Sequence, residues 1–345
     1  MLGMLRAIAR FVDKKIGWNR VGLAASLTII AIAAVVLYRM LHGLDVQAVG
    51  VALRDTPPSH IALAALFVAL GYFTLTFYDW FALRTIRRND VPYRIAALAG
   101  FTSYSVGHNV GASVFSGGAV RYRIYSGWNL SAVEVAKIIF IAGLTFWLGN
   151  AAVLGLGIAY VPEAASAINQ LPPWLNRAVA IATIVVLVGY VFWVWQKPRL
   201  IGRQGWQVEL PSGQLTLLQI VIGIVDLSFC AAAMYVLMPG EPHIGFIELA
   251  VIFVSATLLG FASHSPGGLG VFDAAMLVAL AQFDREHLIA GLLLFRLLYY
   301  ITPFALALLV LGIREVWLNM TKSAAPASSA SRPGPVQSDD THRAP

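Results

Sequence analysis

Charged residues are scarce in this sequence. They make up 12% of the 345 residues, whereas hydrophobic residues make up 59%. Soluble domains carry about 25% charged residues. The shortage of charge therefore excludes an ordinary soluble domain, and it predicts an all-α polytopic integral membrane protein.

Acidic residues are fewer than basic ones, with 17 against 24, so the net charge is +7. In a membrane protein, this excess indicates cytoplasmic loops that face anionic lipid. The sequence has no zinc-finger, RNA-binding or basic-zipper pattern, so we predict no nucleic-acid partner.

Cysteine and catalytic motifs are equally sparse. The single cysteine, Cys230, lies in an apolar run and excludes an intrachain disulfide. The seven histidines are scattered, and neither a P-loop nor a dinucleotide fingerprint is present. We therefore predict no cofactor, no metal site and no catalytic domain, so that the chain is not an enzyme.

Long apolar runs are abundant. A spanning helix needs about 20 apolar residues, and six runs qualify: Val21–Leu41, Ile61–Leu83, Val133–Tyr160, Ala178–Trp195, Leu215–Leu237 and Leu288–Ile313. Two further apolar segments, near 95–118 and 247–283, are interrupted by small and polar residues. Such interruptions predict broken or re-entrant helices, and the chain then has six to eight transmembrane helices.

Composition divides the chain into three parts. Residues 1–20 are predicted to be a basic cytoplasmic N-terminus, 21–315 a single transmembrane domain, and 316–345 a disordered cytoplasmic tail. We expect a multi-pass protein of the bacterial inner membrane with both termini in the cytoplasm.

Loop charge also bears on the first broken segment. The basic clusters at 84–94 and 197–203 are both expected on the cytoplasmic side. They lie on the same side only if the segment 95–118 dips into the membrane and returns. This is the interpretation that the sequence favours.

Two arginines interrupt the stretch SGGAVRYRIYSG, residues 116–127. Ser131 and Glu134 have the spacing of a capping box, so a helix is predicted to begin there. Arg121 and Arg123 then lie in the connector before it. The glycine pair lets the backbone approach a ligand closely, and the planar guanidinium of arginine suits phosphate. Together they predict a clamp for a lipid headgroup. The alternative is simple anchoring by loop arginines.

The second unusual stretch is SHSPGGLGVFDAAML, residues 263–277. Pro266 and the glycines after it break the helix, and Gly270 leads into a new helix with Asp273 in its first turn. Free backbone N–H groups at that helix start predict a site for an anion or a polar headgroup. The alternative is a tight packing turn in which Asp273 only complements the helix dipole.

Ionisable residues inside the spans are a third feature. Asp226 and Arg296 lie mid-span, where a charge usually faces a cavity or a partner. Arg296 is expected to pair with Asp226 or with Asp273. Asp79 is close enough to Arg84 to be a simple interface residue.

The first broken segment contains His108 and Asn109, which either line a wet cavity or satisfy each other.

S-G-G at 116–118 and S-P-G-G at 265–268 follow broken segments in the two halves of the chain. Paired interruptions of this kind are typical of an inverted repeat.

These motifs, GGAVRYRIYS before a capped helix and SPGGLGVFDAAML, resemble the transmembrane (flippase) region of the lysylphosphatidylglycerol synthase/flippase family over residues 20–315. The resemblance implies a stand-alone lipid-handling member without the synthase domain. It implies lipid-binding roles for the matching positions. In the first motif these are Gly117, Gly118, Arg121, Tyr122, Arg123 and Tyr125. In the second they are Pro266, Gly267, Gly268, Gly270, Phe272 and Asp273, and we add the adjacent His264 to the predicted site.

The sequence therefore predicts a flippase-like translocator that moves a phospholipid or modified phospholipid between leaflets through a polar cavity. Two alternatives stay open at this point. One is a membrane-embedded lipid-modifying enzyme, with Asp226, His264 and Asp273 as acid/base groups. The other is a scaffold for a lipid-synthesis complex. The expected partners are a phospholipid, anionic or aminoacylated, and a lipid-synthesis enzyme; the oligomeric state stays open.

Overall fold

The computed structural model describes Val35, Tyr38 and residues 46–111, 113–197, 199–203, 206–263 and 266–323. The predicted N-terminal segment 1–20, the predicted span Val21–Leu41 apart from Val35 and Tyr38, and residues 324–345 of the predicted tail lie outside the described residues. His264 lies outside them as well.

The described residues are almost entirely helical. The helices are α1 (Val46–Asp55), α2 (Pro58–Thr85), α3 (Tyr93–Val110), α4 (Ser113–Tyr125), α5 (Ala132–Tyr160), α6 (Pro162–Asn169), α7 (Pro173–Gln196), α8 (Gly213–Leu237), α9 (Phe246–Ala262), α10 (Val271–Ala279), α11 (Arg285–Phe295) and α12 (Thr302–Ser323). Short 3₁₀ turns lie at Ser126–Trp128 and Pro266–Gly268, and a π-helical segment at Arg296–Ile301 joins α11 to α12. The strands β1 (Leu200–Arg203) and β2 (Trp206–Glu209) pair antiparallel between α7 and α8.

Five helices in the described part of the chain are long and apolar enough to cross a membrane: α2, α5, α7, α8 and the continuous run Arg285–Leu318. They confirm the five predicted spans that fall on described residues. The structure corrects the start of the tail, because 316–323 continue α12. Val316 and Trp317 are apolar and 60% and 63% exposed, so the helix runs on with an apolar outer face.

Ion pairs bring several helix ends together at one end of the bundle, called the basic end here. Arg88, just after α2, donates to Glu134 in the first turn of α5 at 2.7 Å. Hydrogen bonds from Arg88 also lower the pKa of Asp90. Arg87 donates to Glu209, just before α8, at 3.2 Å. The end of α2 and the starts of α5 and α8 therefore share this end.

The basic end also contains the end of α4 and part of α12, because Arg123 pairs with Glu315 there. The basic clusters at 84–94 and 197–203 both lie at this end: the first follows α2, and the second belongs to the β-hairpin that carries Glu209. This placement agrees with the interpretation that 95–118 dips in and returns.

The first broken segment is a helical hairpin formed by α3 and α4, which starts and finishes at the basic end. Gly111, with a φ of 81°, separates the two helices. They pack tightly, since a Cβ on Gly117 would lie 2.8 Å from the carbonyl oxygen of Ser103. Gly118 faces α5 instead, where a Cβ would lie 3.0 Å from Cδ1 of Ile139.

The second broken segment is a hairpin formed by α9 and α10. Its turn contains Gly267, Gly268 and Gly270, which have positive φ values of 61°, 61° and 80°. Glycine adopts this backbone region without steric cost. A Cβ on Gly260 of α9 would lie 3.3 Å from the Cα of Gly268, so the turn folds directly onto its own first helix.

The second hairpin enters from the end opposite to the basic end. Tyr235, near the end of α8, donates to the carbonyl of Ile244 just before α9 at 3.4 Å. After the hairpin, α11 begins beside the same end of α8, where a Cβ on Gly291 would lie 2.5 Å from the carbonyl oxygen of Leu237. The order of long helix, hairpin and long helix thus occurs twice, in opposite directions. This is the arrangement expected of an inverted repeat.

Candidate functional site

The turns of the two hairpins meet at one cavity of about 210 Å³ inside the bundle. Its wall combines both hairpins with α2, α8 and the π-helical segment. The polar and ionisable side chains of the wall are Tyr104, His108, Ser113, Asp226, Cys230, Thr257, Tyr299 and Tyr300. Phe115, Phe146, Phe253, Phe261 and Phe272 supply much of its apolar surface. The chain therefore encloses a few polar groups within an apolar wall, as ligand sites do.

Asp226 is the only carboxylate among the described residues that line this cavity. It lies near the middle of α8 and is 4% exposed. The hydroxyl of Tyr78 donates to its Oδ2 at 3.0 Å, while its Oδ1 has no hydrogen-bond partner in the described protein. The predicted mid-span position of Asp226 at a cavity is therefore found in the structure.

The first motif contributes a buried ion pair next to the cavity rather than to its lining. Arg121 donates three hydrogen bonds to Asp79, at 2.8 to 3.1 Å. Tyr125 donates to the same carboxylate at 2.8 Å. Asp79 is completely buried and Arg121 is 6% exposed, with its guanidinium 5.0 Å from the ring centre of Tyr104.

The interpretation of Asp79 as a simple interface residue is wrong. A bidentate arginine and a tyrosine hydroxyl satisfy its carboxylate, which lets a charge lie in an apolar interior. The guanidinium of Arg121 is engaged by this pairing. Its predicted contact with a lipid phosphate stays a prediction, as does that of Arg123, which pairs with Glu315.

The second motif is held by Arg296. The guanidinium binds both carboxylate oxygens of Asp273, at 2.8 Å for the pair Nε–Oδ1, and reaches the carbonyl oxygen of Gly267 at 3.4 Å. Asp273 in turn accepts from the backbone N–H of Gly270 at 3.1 Å. Of the two predicted pairings, Asp273–Arg296 is correct. The pairing Asp226–Arg296 is wrong, because α10 offers a carboxylate closer to Arg296.

The π-helical segment connects both hairpins. Its wider turns leave carbonyl oxygens available. Tyr72 of α2 donates to the carbonyl of Tyr299 at 3.0 Å, and Asn109, at the tip of the first hairpin, donates to that of Tyr300 at 3.4 Å. Arg296, the first residue of the segment, holds the tip of the second hairpin. One short segment therefore fixes the positions of both tips.

His108 and Asn109 are the adjacent polar residues of the first hairpin, and the structure distinguishes the two interpretations of them. His108 and Asn109 do not bond to each other: Asn109 donates to the carbonyls of Ser105 and Tyr300, while His108 lines the cavity beside Tyr104. Adjacent residues on a helix point in directions about 100° apart. His108 is therefore found at a cavity wall, and the interpretation that His108 and Asn109 satisfy each other is wrong.

The predicted lipid-binding residues lie in three different environments in the fold. Gly267, Gly268 and Phe272 line the cavity, whereas Gly117, Gly118, Arg121 and Tyr125 pack around it. Tyr122 and Gly270 are exposed. Sequence analysis missed Tyr78, Cys230, Tyr299 and Tyr300. The signal available for the tyrosines was their mid-span position, away from the interfacial belts where tyrosine is usual.

A family model described as the lysylphosphatidylglycerol synthase TM region matches residues 23–307. The chain belongs to this family. An uncharacterized protein of Synechocystis sp. is 30% identical to it over 279 residues, which cover 80% of this chain and 86% of that protein. The inner membrane protein YbhN of Escherichia coli is 28% identical over 273 residues, 77% of this chain and 83% of YbhN.

A more distant relative is the phosphatidylglycerol lysyltransferase of Staphylococcus aureus, 23% identical over 280 residues. These residues cover 80% of this chain but 32% of that enzyme. The chain is thus a helical multi-pass membrane protein whose family is defined by the membrane region of a phospholipid-modifying enzyme. The relative in Escherichia coli agrees with the predicted location in an inner membrane.

No group of three or more His, Cys, Asp or Glu side chains with the geometry of a metal site lies in the described ranges. Within the same ranges, no lysine or arginine lines the cavity. The arginines nearest to its wall are engaged by Asp79 and Asp273. The cavity can therefore accept hydrogen bonds and positive charge at Asp226, and it donates through hydroxyls.

The pairing of Arg296 with the second hairpin predicts a change in the accessibility of Cys230. Arg296→Ala removes the bonds to Asp273 and Gly267, so the tip is expected to open more often and the buried thiol of Cys230 to react several-fold faster with a membrane-permeant maleimide. Labelling kinetics in detergent or vesicles measure this directly, because Cys230 is the one cysteine of the sequence.

The matched control is Arg285→Ala at the exposed start of α11. It removes an arginine from the same continuous run Arg285–Leu318 and leaves the bonds of Arg296 to the hairpin in place, so labelling should match the wild type. Equal labelling rates in Arg296→Ala and Arg285→Ala would contradict the role of Arg296 in closing the tip.

Proposed function

We propose that this protein moves a phospholipid between the two leaflets, with the headgroup passing through the cavity between the hairpin tips. The observation that carries this proposal is the meeting of two oppositely inserted hairpins at one cavity, which places a few polar groups within an apolar wall. Each hairpin starts from a different end of the bundle, so opening one tip exposes the cavity to one side only. That is the geometry of alternating access.

The depth and lining of the cavity support a headgroup as its occupant. Asp226 lies near the middle of a 25-residue helix, so the polar groups lie far from either surface. A headgroup crossing the bilayer needs such groups because its polar atoms otherwise lose their hydrogen bonds in hydrocarbon. The acyl chains can stay in the surrounding lipid throughout.

The family supports a phospholipid as the substrate class, since one relative is named a phosphatidylglycerol lysyltransferase. The basic end, with the clusters at 84–94 and 197–203, is proposed to face the cytoplasm. Under this proposal, Gly267, Gly268 and Phe272 of the second motif line the path. The predicted lipid-binding residues of the first motif, including Arg121 and Arg123, fix the shape of the first hairpin beside it.

The test is the exchange of headgroup-labelled phospholipid between leaflets of proteoliposomes. Thr257 lines the cavity and is half-buried. Thr257→Trp fills a large part of a 210 Å³ space, so exchange is expected to fall at least about tenfold relative to the wild type.

Val278→Trp is the matched control for this test. Val278 lies on α10 of the same hairpin and is 62% exposed, outside the cavity wall. It should leave exchange close to the wild-type rate. Absence of exchange in the wild type with anionic, zwitterionic and aminoacylated lipids would refute translocation. Formation of a new lipid in the same vesicles would favour an enzyme instead.

A further inference from the structure

Asp226 differs from the carboxylates that are described nearby. Asp79, which is completely buried, is paired with Arg121, and the partly exposed Asp273 is paired with Arg296. Asp226 forms no ion pair among the described residues, and its one hydrogen bond comes from the neutral hydroxyl of Tyr78. Its Oδ1 has no hydrogen-bond partner in the described ranges, although the residue is 4% exposed and lines the cavity.

An isolated carboxylate at this depth is costly as an anion, and it becomes neutral by taking up a cation. The surroundings favour a proton over a metal ion. A metal ion of the hard type needs several oxygen ligands, whereas the described contacts give Asp226 only one further oxygen, that of Tyr78. A proton needs one carboxylate oxygen without a hydrogen-bond partner, which Oδ1 supplies among the described residues, on a side chain that borders the cavity.

Other titratable side chains face Asp226 or the cavity from the elements that pack around it. They are Tyr72 and Tyr78 on α2, Tyr104 and His108 on α3, Cys230 on α8, and Tyr299 and Tyr300 in the π-helical segment. The charged groups beside this set are the pairs Asp79–Arg121 and Asp273–Arg296. Among the described residues, Asp226 is the one carboxylate of the cavity wall.

We propose that Asp226 is a proton-binding site that couples lipid movement to a proton gradient. This inference rests on the proposed function and adds its driving force. On one side, a hydronium ion transfers its proton to Oδ1: an O–H bond of hydronium breaks as the Oδ1–H bond forms, which leaves water and a neutral carboxylic acid. When the second hairpin opens, the Oδ1–H bond breaks and the proton passes to a water molecule on the other side, which restores the carboxylate and forms hydronium there.

The test uses the full-length protein in proteoliposomes that contain a trace of headgroup-labelled phospholipid. A pH difference of about one unit is imposed, and the label is measured in each leaflet at steady state. With one proton per lipid, the label is expected to reach about a tenfold excess in one leaflet. The asparagine of Asp226→Asn has about the size of aspartate and cannot ionise. With this variant, the labelled lipid should stay evenly distributed between the leaflets under the same pH difference.

Two further measurements test whether another residue binds the proton and whether another ion drives the movement. His108→Gln tests the histidine of the cavity wall as the alternative proton acceptor, and the exchange that this variant retains should still respond to the pH difference. If His108→Gln loses the response to pH and Asp226→Asn keeps it, the proton binds at His108 and the proposal for Asp226 is overturned. A sodium gradient without a pH difference should have no effect; accumulation driven by sodium would overturn the proton as the coupling ion.

The outcomes also separate this inference from the proposed function. If the wild type exchanges lipid but the label stays even under a pH difference, proton coupling is refuted while translocation stands. If the wild type exchanges no lipid at all, the proposed function fails and the coupling fails with it. Accumulation that requires Asp226 supports both.

Discussion

Arg121→Ala is expected to lower the free energy of unfolding by about 3–5 kcal/mol. The substitution leaves Asp79, which is completely buried, with only the hydroxyl of Tyr125 as a partner. An unpaired carboxylate in an apolar interior is costly whether it stays ionised or takes up a proton. Equilibrium unfolding in mixed detergent micelles, followed by tryptophan fluorescence, measures the loss.

The control for this prediction is an ion pair at the surface. Glu209→Ala removes the partner of Arg87, and both side chains are well exposed, at 39% and 80%. Its cost is expected to be below about 1 kcal/mol. In the double variant Asp79→Ala with Arg121→Ala, the loss should be smaller than the sum of the two single losses, because neither charge is then left alone.

The single variant Arg121→Ala also distinguishes the two roles considered for Arg121, contact with the lipid and support of the first hairpin. If Arg121→Ala is as stable as the wild type yet exchanges no lipid, the guanidinium acts on the lipid, as the first motif predicted from sequence. If stability falls and exchange falls only in proportion to the folded fraction, its role is to hold the first hairpin against α2.

Gly149→Leu is expected to prevent assembly of the bundle. Gly149 of α5 and Gly223 of α8 cross so closely that a Cβ on Gly149 would lie 2.6 Å from the Cα of Gly223. The obstacle is backbone, so no change of rotamer relieves it, and the two helices must separate along their contact. Overpacking in a core costs about 1–3 kcal/mol, and a backbone clash at a helix crossing should exceed that range. The yield of monodisperse protein after detergent extraction measures the effect.

Gly143→Leu provides a control in the same helix. Gly143 is half-buried, and a Cβ there meets nothing within 4 Å. Its yield and unfolding should therefore stay close to those of the wild type. A normal yield for Gly149→Leu would mean that α5 and α8 do not cross as closely as described. Small residues at such crossings are the usual way for membrane helices to approach each other.

The broken segments illustrate how far the sequence alone leads. Apolar runs located all five spans that fall on described residues, since a helix must satisfy its own backbone in lipid. Loop charge identified 95–118 as a segment that returns to its own side. The glycines of 267–270 marked the second turn because positive φ favours glycine. Each of these inferences depends on local chemistry along the chain.

The errors have a common cause. Asp79 was assigned to the interface because Arg84 is nearby in sequence, yet its partner Arg121 is 42 positions away. Asp226 was a candidate partner for Arg296 because both lie mid-span. In the folded chain, Asp273 is nearer to Arg296, while Asp226 meets Tyr78. Partner choice between spans depends on how helices pack, which sequence spacing does not encode.

By itself, the sequence determined the membrane class, the spans on described residues, the two interruptions and the family motifs. These follow from hydrophobicity, charge and the backbone preferences of glycine and proline, which act over a few residues. The tertiary structure alone decided that the interruptions meet at one cavity, that Asp79 engages Arg121 and Asp273 engages Arg296, and that Asp226 has an oxygen without a hydrogen-bond partner among the described residues. These features require contacts between residues that are far apart in the chain, and such contacts form only when the helices pack.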